Sequence, residues 1–99
     1  MKHYLYCSSG NTVGLDEYLG FFEIDDDGYC ARYLEIRSDG RALRYTEQHS
    51  SDQFGVLPEK SWDEPAMAEP ELSILKRISN GLFDSAWHAT HCSNDRTPG

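Results

Sequence analysis

The stretch from Tyr29 to Tyr45 most limits how this chain can fold. Tyr29, Ala31, Tyr33 and Glu35 alternate there with Cys30, Arg32, Leu34 and Ile36, the period of two expected of a strand with two unlike faces. Ser38-Asp39-Gly40 follows, and then a second strand-like run, Arg41-Ala42-Leu43-Arg44-Tyr45. Asp-Gly tolerates the positive φ angles of tight turns, so the two runs are predicted to pair as an antiparallel hairpin. Its strands are expected near 29–37 and 41–47.

Other elements are placed around this hairpin. His3 to Cys7 is rich in Tyr and bounded by Ser8-Ser9-Gly10-Asn11, which suits a strand and a loop. In residues 15–24 the apolar positions 15, 18, 19 and 22 fit a helical stripe, whereas 20–24 look extended. Gly20 separates the two readings, and a strand near 19–24 is expected. Glu47 to Gly55 is polar and reads as a mobile loop. Val56-Leu57-Pro58 reads as a short extended piece, and Trp62 to Ala68 holds at most a turn or two of helix between Pro65 and Pro70. Residues 72–78 contain no breaker and fit strand or helix equally. A last helix is capped by Ser79, with Leu82, Phe83, Ala86, Trp87 and Ala89 or Thr90 as its apolar stripe. The expected fold is α+β: an antiparallel sheet of about four strands with a C-terminal helix packed on one face. It forms one domain over 1–93, with 94–99 a polar tail.

Charge narrows the function. Nine basic and 17 acidic residues give a net charge of −8, which argues against a protein that neutralises phosphates or docks on an anionic membrane. No apolar run reaches the roughly 20 residues of a membrane span, and the N-terminus lacks a signal-peptide core. The odd cysteines Cys7, Cys30 and Cys92 lack the spacing of a disulfide framework and suit a reducing cytosol, so a cytoplasmic location is expected. If Cys7 and Cys30 lie on neighbouring strands, they could approach one another.

Residue spacing speaks against three chemistries. Placing Gly28 at position 6 of a calcium loop puts Glu23, Asp25 and Asp27 at positions 1, 3 and 5, but Leu34 falls at position 12, where a bidentate Glu is required. Asp25-Asp26-Asp27-Gly28 therefore reads as an acidic turn. His88, His91 and Cys92 lie close together, and a zinc site would need Cys7 or Cys30 to complete it. Imidazoles at a helix C-terminus are also favoured by its dipole, so no metal or other cofactor is expected. No nucleophile elbow, phosphate-cradling loop or paired histidine motif supports an enzyme.

The acids are segregated along the chain. Asp16 to Asp27 holds six acids and no base, and Glu47 to Glu71 holds seven acids against Lys60. Arg32, Arg37, Arg41 and Arg44 sit in the hairpin between them. If the two acidic segments share a face, they would steer a basic partner toward it. Tyr29 or Trp62 would then supply the desolvated anchor.

Phe22-Glu23-Ile24-Asp25-Asp26-Asp27-Gly28-Tyr29, with Arg32-Tyr33-Leu34-Glu35-Ile36 and Asp39-Gly40, resembles a family of small bacterial proteins known as a domain of unknown function. That family's pattern continues through a Pro-bearing loop, here Val56-Leu57-Pro58, to a helix introduced by Ile78-Ser79 and carrying Phe83 and Trp87. The first 18 residues do not follow it. The family has no established activity, but its small acidic members are similar to immunity proteins that neutralise co-encoded toxins. Together with the segregated charge, this resemblance leads to the expectation of a non-catalytic inhibitor that covers the active site of a basic toxin such as a nuclease. Asp25, Asp26, Asp27, Asp63 and Glu64 would pair with the toxin's Lys and Arg, and Tyr29 or Trp62 would anchor it. The alternative is a small regulatory or ligand-binding domain that holds an anionic metabolite between sheet and helix through Arg32 or Arg44.

Overall fold

Strands form where apolar side chains recur at every second residue, and a computed structural model of the chain shows them. It describes residues 1–9, 17–38, 40–53, 55–58, 62 and 73–92. Among the described residues the strands are β1 (Lys2–Ser9), β2 (Glu17–Ile24), β3 (Cys30–Arg37), β4 (Ala42–Thr46) and β5 (Ser73–Ile78), followed by one helix, α1 (Asn80–Ala89). They make one sheet in the order β4-β3-β2-β1-β5, and every pairing is antiparallel. The fold is thus α+β. The described residues hold five strands rather than about four, because 73–78, compatible with either period, pairs with β1 from His3↔Ile78 to Ser8↔Ser73.

The predicted hairpin is β3–β4. Gly40 takes φ +87° at its turn, and the Arg37 amide donates to the Arg41 carbonyl at 2.8 Å. One detail departs from simple alternation. The register shifts between Glu23 and Ile24, so that Glu23 faces Arg32 while Ile24 faces Cys30. This bulge absorbs one residue of β3 and reverses side-chain parity beyond it. Cys30 consequently joins Tyr33 on one face instead of sharing Arg32's face.

Both faces of the sheet are packed. On one, Phe21, Leu34 and Ala42 meet Phe83 and Trp87 of α1. Those two helix residues lie four apart, one above the other on the sheet-facing side, and are the helix's buried residues. Leu82, expected in the same stripe, is exposed because it points about 100° away from Phe83. Ser79 caps the helix by accepting from the Leu82 amide at 3.0 Å. On the other face Tyr4, Tyr6, Phe22, Tyr33, Leu43 and Tyr45 form an aromatic layer covered by Leu57 and Trp62. Gly20, in the middle of β2, leaves room for that layer: a Cβ there would stand 3.0 Å from the Phe22 ring and 3.2 Å from that of Tyr33.

The polar segment after β4 lies against the sheet. Asp52 accepts from the Tyr45 hydroxyl at 2.9 Å and the Gly55 amide at 3.2 Å, and bonds His49 at 2.8 Å. The Leu57 amide donates to the Ser50 carbonyl, so the segment expected to be mobile is tied down at both ends. The short helix expected within 62–68, apart from Trp62, and the tail at 94–99 lie outside the described residues.

Candidate functional site

The β2–β3 turn is built by its first acid. The Asp25 carboxylate accepts from the Asp27 amide at 3.0 Å and the Tyr29 amide at 2.9 Å, an arrangement that folds the backbone back on itself. Gly28 completes the turn at φ +88°. Asp25 therefore shapes the loop, whereas Asp26 and Asp27 are exposed at its tip. Tyr29 follows them and is 48% exposed.

Trp62 reaches this turn from far along the chain. Its amide donates to the Gly28 carbonyl at 2.6 Å, and its ring packs on Tyr4 at 4.7 Å and Phe22 at 4.9 Å. Its indole Nε1 is buried, with no hydrogen-bond partner among the described residues. Trp62 thus ties the turn to the aromatic layer, and Tyr29 is the ring presented to solvent. Asp63 and Glu64 lie outside the described residues.

The register sets which charges share an end of the sheet. Arg32 opposes Thr46, and Cys30 opposes Ile24. The end of β4, with exposed Glu47 just beyond it, therefore lies at the same end as the β2–β3 turn. Arg37 and Arg41 flank the hairpin turn at the opposite end. Other acids are turned to structural use. Glu23 is buried under α1, and Asp52 holds the segment after β4. The remaining members of the two acidic segments, apart from Glu17 at the start of β2, are not among the described residues.

A second polar cluster, between sheet and helix, is composed of residues from four different elements. Arg32 donates to Glu23 through Nε at 2.8 Å and Nη2 at 2.6 Å, and through Nη2 to Asp84 at 3.0 Å. His3 Nε2 lies 3.0 Å from Glu23 Oε2. The Arg32 guanidinium also lies over the rings of Phe83 at 4.8 Å and Trp87 at 5.0 Å. Its hydrogen bonds hold the Glu23 carboxyl below the usual carboxylate range, outweighing burial, which acts in the opposite direction. Arg44, over the Trp87 ring at 5.0 Å, donates to the Thr90 carbonyl at 2.6 Å and to Cys92 Sγ at 3.3 Å. Both arginines considered for an anion pocket thus already serve acceptors within the protein.

Cys7, Cys30 and Cys92 are free thiols. β2 separates the strands of Cys7 and Cys30, so the two do not sit on neighbouring strands. Burial pushes the Cys30 thiol up to about 12. His88 and His91 are exposed while Cys92 is buried beside Arg44, so these three side chains do not converge. Among the described residues no group of three or more His, Cys, Asp and Glu is placed to hold a metal ion. No helix described is long and apolar enough to cross a membrane.

No family model, no curated protein and no solved structure matches this chain.

Proposed function

We propose that this chain is a non-catalytic binding protein of the immunity type, which neutralises a basic protein toxin such as a nuclease by covering its active site. The observation that supports this reading is the half-exposed Tyr29 ring beside exposed Asp26 and Asp27 on a turn fixed by Asp25, Gly28 and the Trp62 backbone. A rigid aromatic anchor rimmed by carboxylates suits a partner that presents Lys and Arg around a cleft. Glu47, at the same end, extends the negative field. Asp63 and Glu64, next in sequence to Trp62, would add to it.

The test is capture of a basic protein from a lysate of the native host on immobilised protein. The Asp26→Lys/Asp27→Lys variant should bind the captured protein at least roughly tenfold more weakly and with a shallower dependence on salt. Tyr29→Ala should weaken binding without altering the salt dependence. Asp25 is left intact because its carboxylate builds the turn. Capture that ignores both salt and the charge reversal would set the reading aside.

A further inference from the structure

The two edges of the sheet are finished differently. At the β4 edge Ala42, Leu43 and Tyr45 are buried, with Tyr45 bonded to Asp52 and Arg44 to the end of α1. At the β5 edge none of the side chains from Ile74 to Ile78 is buried. Ile74 is 57% exposed, Lys76 and Arg77 are exposed, and no described strand pairs with the outer side of β5. An edge strand presents outward-pointing N–H and C=O groups to any extended segment that can reach them.

The side chains define which segment fits. Neither Lys76 nor Arg77 makes an ion pair with a described residue, whereas Arg32 and Arg37 are both paired. Two cations without an ion-pair partner among the described residues, beside an edge that no described strand covers, stand out in a chain of net charge −8. They disfavour a second copy of this chain as the occupant, because pairing β5 with β5 would bring both cations of each copy into one seam. The register adds an apolar element. Cys7 opposes Leu19 on one side and Ile74 on the other, so exposed Leu19 and Ile74 continue one row across three strands.

We propose that β5 is a docking edge for an extended acidic segment of a partner protein, added antiparallel like every other strand of the sheet. Its two acids stand opposite Arg77 and Lys76, and the two apolar residues that follow stand opposite Leu75 and Ile74. The last of these lengthens the apolar row, and the backbone of the segment satisfies the open edge. This surface is separate from the acidic turn, and the inference does not depend on the function proposed there.

The probe is the capped peptide Thr-Asp-Glu-Val-Ile-Thr, titrated into the full chain by calorimetry and followed by amide NMR. Saturable binding is expected, with shifts concentrated in 73–78 and in β1. Lys76→Glu/Arg77→Glu, which alters exposed side chains only, should weaken binding roughly tenfold with its thermal unfolding unchanged. N-methylating the peptide amides that face β5 should abolish binding. The proposal is overturned if the N-methylated peptide binds as well as the parent, which would reduce the effect to charge attraction. Unsaturable binding, or sedimentation of the free protein as a dimer with exchange-protected β5 amides, would overturn it too.

Discussion

Glu23 occupies a position where the alternation of β2 calls for an apolar side chain, and the surrounding residues make the substitution tolerable. A carboxylate taken out of water is costly unless its oxygens are satisfied. Here both accept from Arg32, and one also meets His3, while the Phe83 and Trp87 rings cover the guanidinium. The partners are not equivalent in exposure. The Glu23 side chain is 8% exposed and that of Asp84 is 41% exposed. Glu23→Ala is therefore expected to cost about 3 kcal/mol, since it strands a partly buried guanidinium and an imidazole. Asp84→Ala should cost less than about 1 kcal/mol, because water replaces the lost carboxylate. Urea unfolding with unchanged m-values measures both. Equal losses would mean that the helix, rather than the β2–β3 pair, holds Arg32 in place.

At the scale of elements, the β3–β4 hairpin was legible because its signals are local: alternation on both sides of Asp39-Gly40. The Ser79 cap was legible for the same reason. β5 was not, since Leu72-Ser73-Ile74-Leu75-Lys76-Arg77-Ile78 satisfies both periods and only pairing with β1, some seventy residues earlier, decides between them. The acidic turn could be read from its composition, but not the division of labour within it, in which Asp25 shapes the loop and leaves Asp26 and Asp27 free for solvent. The cluster of His3, Glu23, Arg32 and Asp84 had no spacing signature, because each residue comes from a different element. A carboxylate among the apolar residues of Phe21-Phe22-Glu23-Ile24 was its one visible sign. The polar segment after β4 is the exposed loop its composition suits, but composition did not show the Asp52 carboxylate that ties it to Tyr45. Asp52→Ala should cost about 2 kcal/mol by stranding the Tyr45 hydroxyl. It should also raise hydrogen exchange at the Gly55 and Leu57 amides, while exchange in β1 and β2 stays as it was. Uniform acceleration across the sheet would show that this segment does not open by itself.

Across the whole molecule, one sheet is covered by unlike materials: a short helix over a charged cluster on one side and an aromatic layer under irregular chain on the other. Titration couples both sides to stability, with opposite signs. Glu23 is held below its ordinary value near 4.5 by Arg32, so the folded state favours its ionised form. Its contribution is fully present above that value and is lost as pH falls through the lowered one. On the aromatic side burial raises Cys30 to about 12 from 9.0 and also raises Tyr33 and Tyr45, whose hydroxyls donate to Glu35 and Asp52. The fold there favours the neutral forms, so that stabilisation is complete below the ordinary thiol and phenol values and declines as pH rises past them. Urea midpoints from about pH 3 to about pH 11 should therefore trace a plateau with a fall at each end. Glu23→Gln should lower the plateau and flatten the acid limb while leaving the alkaline limb in place, because the amide cannot ionise and the thiol and phenols lie on the other face. An acid limb equally steep in Glu23→Gln would show that Glu23 does not carry it, and the charge cluster beneath the helix would then be pH-silent.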